Sequence, residues 1–249
     1  MIRLENVTMA FPDHTAVRRV SFAVEKGETL AVIGGSGSGK STLLRLMIGL
    51  IRPTEGKIWI GDREISAMEE AELDKVRLRM GMVFQYSALF DSMTVGENVA
   101  FGLREHTKLK EAEIAQIVRE KLHLVGLDGI EKKMPDELSG GMKKRVSLAR
   151  AIAIDPEIIL YDEPSSGLDP IMTGKIDELI LETQRRLGVT SVVVTHDMAS
   201  ACHVADRIAM LDKGELIALD TAKNFRKSAD PRIKAFFRAV EVEEEEAGL

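Results

Sequence analysis

The chain has 249 residues, of which 45% are apolar and 30% charged, proportions typical of a folded globular protein. Its net charge is −6, and an acidic tail supplies most of the excess. The nearly neutral remainder gives no electrostatic reason to expect nucleic acid or a bare anionic membrane as a partner. No apolar run approaches the ~18 residues that a membrane helix needs, and the single Cys202 excludes an internal disulfide.

The first third of the chain predicts short strands. β-Branched residues are frequent in Ile2–Thr8, Val20–Val24 and Thr29–Ile33, and polar turn residues separate the second and third of these stretches. A loop rich in glycine and serine follows the third strand, and apolar residues then recur at helical spacing over Ser41–Leu50. A further strand is predicted at Lys57–Ile60.

From about residue 96 to residue 155 the pattern becomes helical. Ile114, Val118 and Leu122 recur on one helical face, and Lys121 is expected on the solvated face. Strands and a helix then alternate: Ile158–Tyr161, a helix over about 171–187, Ser191–Thr195 and Arg207–Leu211. This order predicts a mostly parallel sheet with helices on its faces and a helical lobe inserted into it.

The loop after the third predicted strand fits the pattern G-x-x-x-x-G-K-[ST]. Glycines allow backbone N–H groups to wrap a polyphosphate at the start of a helix, where Lys40 can reach the β- and γ-phosphates and Ser41 can ligate Mg²⁺. A flexible glycine-serine turn is the alternative, and the lysine, the hydroxyl and the strand–helix context argue against it. The predicted nucleotide-binding residues are Gly34, Gly35, Ser36, Gly37, Ser38, Gly39, Lys40, Ser41 and Thr42.

A hydrophobic strand that begins at Ile158 ends in two adjacent acids, Asp162 and Glu163. A carboxylate beside a core is unfavourable without a cation. Asp162 is therefore predicted to hold Mg²⁺, partly through water, and Glu163 to polarise the attacking water. Two solvated acids at a strand end are the alternative, which the phosphate loop makes less attractive.

The stretch Leu138–Met142 marks the start of another helix. Ser139 is a good N-cap, and Gly140 and Gly141 expose backbone N–H groups, so this helix start is also suited to an anion. With this stretch the chain resembles the ATP-binding cassette (ABC) family, whose LSGGQ motif completes the nucleotide site of the opposite subunit.

The resemblance covers the chain from Leu4 to about Ala222. It implies an α/β fold of the P-loop NTPase (RecA-like) class: a mostly parallel sheet core, an N-terminal antiparallel β lobe and an inserted α-helical subdomain. The implied ATPase domain spans 1–228, with the helical subdomain at about 88–156, and an amphipathic helix with an acidic tail spans 229–249. The implied activity is hydrolysis of ATP with Mg²⁺, coupled to transport.

Further residues fall where the family has functional side chains. Phe11 matches the aromatic that stacks on adenine, with a core phenylalanine as the alternative, and Asp169 lies in the D-loop. Gln85 matches the Q-loop glutamine that senses Mg²⁺ and the attacking water. His196 matches the histidine that contacts the γ-phosphate. With Glu163, the resemblance implies Gln85 and His196 as catalytic residues and Ser41, Gln85 and Asp162 as metal ligands.

Departures from the commonest ABC pattern narrow the resemblance. Met142 replaces the usual glutamine, and together with Phe90 and the stretch Ser165–Pro170 it makes the chain similar to the ATPases of Mce-associated lipid transporters, the MlaF type. This implies a homodimer on the cytoplasmic face of the inner membrane, bound to a permease and accompanied by an Mce-domain lipid-binding protein. The groove near Gln85–Phe90 would receive a helix of the permease, and no nucleic acid would be bound.

Two other functions remain open. An importer ATPase for amino acids, methionine or osmolytes would share the fold and chemistry, although such proteins normally keep glutamine at the position of Met142. A soluble ABC machine acting on DNA or ribosomes belongs to a different class. Those proteins carry a long coiled coil or a second fused cassette, and this sequence shows neither.

The C-terminal segment predicts a short amphipathic helix. After Asp230-Pro231 the residues Ile233, Phe236, Phe237 and Val240 form one apolar stripe, and the acidic run Glu243–Glu246 follows. A helix this short is marginal alone, so its stripe must be buried. The resemblance suggests the neighbouring ATPase subunit as the partner, and the alternative is the core of its own subunit.

Overall fold

The computed structural model describes residues 1–236, which divide into two compact units. The first unit contains Met1–Ala67 and the described residues from Val193 onward, and the second is Met68–Val192. The strands of the described chain are β1 (Ile2–Phe11), β2 (His14–Val24), β3 (Thr29–Ile33), β4 (Glu55–Ile60), β5 (Arg63–Glu64), β6 (Met80–Val83), β7 (Ile158–Asp162), β8 (Thr190–Val194), β9 (Arg207–Asp212) and β10 (Glu215–Thr221).

Helices separate most of these strands. Within residues 1–236 they are α1 (Lys40–Met47), α2 (Glu70–Arg77), α3 (Val95–His106), α4 (Glu111–Leu124), α5 (Gly140–Ala151), α6 (Pro170–Leu187), α7 (Met198–Val204) and α8 (Ala222–Phe225), with a 3₁₀ turn at Pro135–Glu137 and a further helical segment at 231–236. In this part of the chain no helix is both long and apolar enough to span a membrane.

The N-terminal part of the first unit is an antiparallel sheet in the order β2-β1-β4-β5. Ile2 of the central strand lies opposite Val24 on one side and Ile60 on the other. These three side chains and Leu4 are buried, since alternate residues of a strand point to the same face and that face forms a core. The predicted antiparallel lobe is present.

β9 and β10 extend the sheet of the first unit from β3. All five residues of β3 are buried, as expected for a strand covered on both faces. β3 pairs in parallel with β9, with Ile33 opposite Met210, and β10 pairs antiparallel with the far edge of β9. The predicted strand at Thr29–Ile33 is confirmed with the same bounds, whereas β10 was not predicted.

The second unit combines parallel strands with a group of helices. β6 pairs in parallel with β7, and α3 packs against α4 and α5. Gly81 of β6 lies so close to α5 that a Cβ there would stand 2.5 Å from the Ala151 carbonyl oxygen. α3 begins at a capping box in which Thr94 and Glu97 each accept a hydrogen bond from the other's backbone N–H. The predicted run of helices through the middle of the chain is therefore confirmed.

Lys121 of α4 is not on a solvated face, and that prediction was wrong. Its side chain is 9% exposed, and its ammonium group forms an ion pair with Asp155, which follows α5. An ion pair between residues this far apart in the chain cannot be inferred from helical spacing. α2 was likewise not predicted, because only Leu73 and Val76 of its eight residues are buried and its apolar periodicity is weak.

The C-terminal helical segment packs on its own unit. Ile233 is 4% exposed and belongs to a cluster that includes Ile33 of β3, Met210 of β9 and Phe225 of α8, with Phe236 partly buried against it. The last two residues of the predicted stripe, Phe237 and Val240, lie outside the described residues, as does the acidic run. The proposed limits 1–228, 88–156 and 229–249 stay predictions.

Replacing Ile233 tests whether the tail helix is part of this core. Ile233→Ala is expected to lower the free energy of unfolding by about 2–5 kcal/mol, the range for truncating a buried isoleucine. Thermal or urea unfolding of the purified chain measures it. Lys234→Ala changes the exposed neighbouring residue of the same helical segment and serves as the matched control. Equal stability of the two variants would contradict the packing of Ile233 on its own unit.

Candidate functional site

The phosphate loop joins β3 to α1 in the first unit, and close backbone contacts require two of its glycines. Gly39 precedes α1 with φ 102°, and a Cβ there would lie 2.3 Å from the Ala16 carbonyl oxygen. Gly34 leaves β3 with φ 151°, and its Cβ would lie 2.2 Å from the Leu211 carbonyl oxygen. Neither position can accept a side chain without a shift of backbone. The two ends of the loop are therefore packed directly against the backbone of β2 and β9.

Lys40 brings a cation to this loop. Its side chain is buried, and Nζ donates hydrogen bonds to the carbonyl oxygens of Gly34 at 2.7 Å and Gly35 at 3.0 Å. The ammonium group is thus held at the loop, where backbone N–H groups at the start of α1 also favour an anion. A cavity of about 200 Å³ opens here, lined by His14, Ala16, Gly37, Ser38, Gly39, Lys40, Ser41 and Thr42.

Phe11 and His14 flank the turn between β1 and β2. Their rings stack with centroids 5.2 Å apart and an interplanar angle of 24°. Phe11 is 37% exposed, so the alternative that it is a core phenylalanine is wrong. The sequence analysis missed His14 and Ala16, because only the pairing of β1 with β2 carries them to the phosphate loop. Their closeness in sequence to Phe11, a predicted site residue, was the available signal.

His196 follows β8, where the chain has returned to the first unit. The Thr195 N–H donates to the Val32 carbonyl oxygen at 3.2 Å, which places the residues before His196 beside the strand that ends at the phosphate loop. His196 is exposed. Asp197 caps the following helix α7 by accepting a hydrogen bond from the Ser200 N–H at 2.9 Å. The short turn that carries the histidine is thereby fixed at both ends.

In the second unit the two predicted acids lie at the end of β7. Asp162 and Glu163 are both 9% exposed, and Glu163 has φ 48°, an unusual left-handed conformation for a residue with a side chain. The Glu163 carbonyl oxygen accepts hydrogen bonds from the Ser166 N–H at 3.1 Å and from Lys144 Nζ at 3.3 Å. Burial lowers the pKa of the Lys144 ammonium group, while the nearby carboxylates of Glu163 and Asp162 act in the opposite direction.

Gln85 is connected to the same cluster. Its side-chain Nε2 donates to Ser166 Oγ at 3.4 Å, and its carbonyl oxygen accepts a hydrogen bond from Lys144 Nζ. The second unit therefore brings together Gln85, Asp162 and Glu163, which were predicted, around Lys144, which was not. No motif separates Lys144 from the basic residues beside it, so only its buried position identifies it.

The backbone after Gln85 is held by a second cation from α5. Ser87 and Ala88 have φ of 63° and 46°. The Arg150 guanidinium donates to the Ser87 carbonyl oxygen at 2.9 Å and to the Ala88 carbonyl oxygen at 2.6 Å. It also lies 5.8 Å from the centre of the Phe90 ring. α5 thus holds the backbone at Ser87 and Ala88, while Asn98 of α3 holds that of Phe90, accepting from its N–H at 2.8 Å and donating to its carbonyl oxygen at 3.1 Å.

The predicted signature stretch forms the start of α5. Ser139 caps the helix by accepting a hydrogen bond from the Met142 N–H at 3.3 Å, as its sequence predicts. Gly140 is exposed, and a Cβ at Gly141 would stand 2.4 Å from the Met172 methyl group. Asp169 also acts as a helix cap, because its Oδ1 accepts a hydrogen bond from the Met172 N–H at 3.0 Å. Its predicted contact with nucleotide is not tested by this local role.

Comparison with known proteins identifies the family. Residues 17–166 match the ABC transporter family. The chain is 42% identical, over 96% of its length and 90% of the relative's, to the intermembrane phospholipid transport system ATP-binding protein MlaF of Haemophilus influenzae. The MlaF of Escherichia coli is 41% identical over 96% of this chain and 89% of its own length.

Mycobacterial relatives are equally similar but longer. The probable ribonucleotide transport ATP-binding protein mkl of Mycobacterium leprae is 43% identical over 94% of this chain, which spans 68% of that protein. The corresponding share for the Mycobacterium tuberculosis protein is 66%. The chain thus spans about two thirds of the length of these relatives.

Solved structures share the fold. A dimeric ATP-binding cassette in a post-hydrolysis state, bound to ADP and Pi, superposes with a TM-score of 0.83 at 34% identity, covering 89% of this chain and 99% of that one. The cbiO1 protein from Clostridium perfringens, part of the ABC transporter complex cbiONQ, gives 0.83 at 30% identity, with coverage of 95% and 98%. The chain belongs to the ABC transporter family. It is an ATP-binding, ATP-hydrolysing subunit, and the predicted fold class is confirmed.

The geometry of the phosphate loop predicts the effect of removing its cation. Lys40→Ala is expected to weaken ATP binding at least ~10-fold, because hydrogen bonds to a charged group contribute roughly 1.5–3 kcal/mol each. Turnover is expected to be lost as well. Calorimetric titration with ATP measures the affinity, and Lys26→Ala, at an exposed lysine of the same unit, is the control. Unchanged ATP affinity of Lys40→Ala would show that the phosphate loop is wrongly assigned.

Proposed function

We propose that this chain powers the transport of phospholipid or a related lipid across the cell envelope, as a dimer bound to a membrane permease. One observation carries the proposal: similarity to two MlaF proteins extends over 89–90% of their length, at 41–42% identity. The residues Met142, Phe90 and Ser165–Pro170 support the same subfamily. By this proposal the chain lies on the cytoplasmic face of the inner membrane, with an Mce-domain protein in the same complex.

The names of the relatives allow a second cargo. The mycobacterial proteins are named for ribonucleotide transport, and their identity to this chain is as high. We favour the lipid cargo because the MlaF proteins match along nearly their whole length, whereas the mycobacterial proteins extend well beyond the match. A small-solute importer is the alternative, and reconstitution with labelled cargoes distinguishes the two.

In the proposed mechanism two copies face head to tail and enclose two ATP molecules. Lys40 and the rest of the phosphate loop bind the phosphates, and Phe11 stacks on the adenine; such stacking contributes roughly 1–3 kcal/mol. The second copy completes the site with the start of its α5, from Ser139 to Met142, and with Asp169. ATP closes the dimer and hydrolysis reopens it.

Hydrolysis is assigned to three side chains. Glu163 acts as the general base toward the attacking water, and the carboxylate is suited to this because it lies, little exposed, at the end of a buried strand. His196 contacts the γ-phosphate, and Gln85 senses the attacking water. The hydrogen bonds that fix the backbone of Glu163 and Gln85 support these roles, since a general base must be held in position.

The proposed metal is Mg²⁺, and the chemistry of the predicted ligands fits it. Ser41 offers a hydroxyl oxygen, Asp162 a carboxylate and Gln85 an amide oxygen, which are the hard oxygen ligands that Mg²⁺ prefers. Few protein ligands are expected, because Mg²⁺ usually keeps waters and substrate phosphates in its coordination shell. When bound, the ion neutralises charge on the phosphates.

The permease is proposed to dock on the segment Ala88–Phe90. Phe90 is 42% exposed and Phe101 of α3 is 36% exposed, and their rings lie 4.9 Å apart between centroids. An exposed aromatic pair next to the Q-loop is the kind of apolar surface that a partner covers. The alternative that Phe90 is simply a core residue does not agree with this exposure.

Replacing the proposed general base separates binding from hydrolysis. Glu163→Gln is expected to keep ATP binding but to slow turnover by about 10²–10⁴-fold, the range for loss of general-base catalysis. This equals about 3–5 kcal/mol of activation free energy. The variant should accumulate as an ATP-bound dimer in size-exclusion chromatography. Undiminished turnover in the purified complex would remove Glu163 from the mechanism.

The cargo is tested by reconstitution. The complex that co-purifies with this chain is placed in vesicles, and ATP-dependent movement of labelled phospholipid is measured beside that of labelled ribonucleotide and amino acids. Lipid movement is expected with the natural chain and not with Glu163→Gln. Movement of a small solute without lipid movement would favour the importer alternative.

The docking surface is tested by placing a charge on it. Phe90→Asp is expected to detach the ATPase from its permease in co-purification, because a carboxylate cannot be buried in an apolar contact without a partner. Nucleotide affinity should stay unchanged. Leu50→Asp places the same charge on an exposed leucine of the first unit and controls for general effects of charge. Normal co-purification of Phe90→Asp, or an insoluble variant, would count against the docking proposal.

A further inference from the structure

We infer that Lys144 is a positioning residue for hydrolysis, which acts by tying the backbone of Glu163 to the backbone of Gln85. The inference rests on the proposed role of Glu163 as general base. It goes beyond that role because it names a residue outside the recognised motifs and assigns it one task. Lys144 does not itself act on the nucleotide in this proposal.

Arg145 and Arg150 of the same helix each donate to the carbonyl oxygens of two adjacent residues. Lys144 instead joins two separate loops. The side chain is 6% exposed, and its ammonium group donates to two backbone carbonyl oxygens, those of Gln85 and Glu163. These carbonyls belong to two loops that follow neighbouring parallel strands, β6 and β7. A single cation thus joins the ends of both strands.

The Glu163 backbone requires such support. A residue with a side chain at φ 48° is strained, and this conformation persists only where the surroundings hold it. Two donors hold its carbonyl oxygen, the Ser166 N–H and Lys144 Nζ. The Ser166 N–H lies at 3.1 Å and Lys144 Nζ at 3.3 Å, so Lys144 adds a charged donor to a backbone hydrogen bond at the same oxygen.

The Gln85 side of the contact leads to the proposed docking surface. Ser87 and Ala88 also have left-handed backbone conformations, and Arg150 of the same helix holds both of their carbonyl oxygens. The segment from Gln85 to Phe90 is therefore attached to α5 by two cations. Through Lys144 the attachment continues to Glu163.

Burial of the ammonium group is the second indication. Removing a charge from water is unfavourable, and burial lowers the pKa of Lys144 accordingly. The carboxylates of Glu163 and Asp162 favour the charged form, and the two carbonyl oxygens supply hydrogen-bond acceptors. An apolar side chain could fill the same space but could not donate these hydrogen bonds. The role of Lys144 is therefore assigned to its hydrogen bonds and not to its packing.

Three variants of the full-length chain test the inference. Lys144→Met keeps the length of the side chain and removes the donors, and Lys144→Arg keeps the charge. Lys132→Met alters an exposed lysine of the same unit as the control. Lys144→Met is expected to lower kcat by about 10–100-fold, in line with misplacement of a catalytic group, with ATP affinity unchanged within about twofold. Lys144→Arg should recover much of the lost kcat, and Lys132→Met should match the natural chain.

A double variant distinguishes positioning from a merely structural role. If Lys144 acts through Glu163, adding Lys144→Met to Glu163→Gln should cause no further loss of kcat, because the two changes remove the same contribution. An additional loss of 10-fold or more in the double variant would overturn the inference. So would a natural kcat in Lys144→Met, or a loss of ATP affinity equal to the loss of kcat.

The same measurements separate this inference from the proposed function. Wild-type turnover and its loss in Glu163→Gln test the general base without reference to Lys144. If Lys144→Met proves too unstable to assay, Lys144→Leu, which also removes the donors, takes its place. Its kcat in the natural and Glu163→Gln backgrounds then decides the inference by the same criterion.

Discussion

The close packing of backbone against backbone at the phosphate loop is the constraint on which the first unit depends. Gly34 and Gly39 each approach another chain segment so closely that no Cβ fits, and the segments involved belong to β9 and the β1–β2 hairpin. The shape of the loop therefore depends on its contacts with the hairpin and with β9. The antiparallel lobe, which also carries Phe11, lines the cavity at the phosphate loop with His14 and Ala16.

The second unit also holds residues near its predicted site in unusual backbone conformations. Where the phosphate loop uses glycines to reach unusual backbone conformations, the loops after β6 and β7 hold Ser87, Ala88 and Glu163 in them with side chains of α5. Glycine at the position of Glu163 would have no carboxylate to offer, so a strained residue with external support is the available solution. The helix that begins with the predicted signature stretch thus also carries the cations that hold the loops beside it.

The sequence predicted the parts of the fold and site that are encoded locally. The bounds of β3, the cap at Ser139 and the strand ending at Asp162 each follow from neighbouring residues. His14, Lys144 and the burial of Lys121 were not predictable in this way, because each depends on a partner far along the chain. Spacing indicates which face of an element is apolar, but it does not indicate which charged residue will be buried to meet a distant carbonyl or carboxylate.

The C-terminal helical segment packs near the phosphate loop's supporting strand. Ile233 packs in the same cluster as Ile33, the last residue of the strand that leads into the phosphate loop. The sequence left open whether Ile233 packs on a neighbouring subunit or on its own core. In the described part of the chain it packs on its own core. The described part of the tail therefore belongs to the core beside the strand that leads into the phosphate loop, where close packing leaves little room for either to move alone.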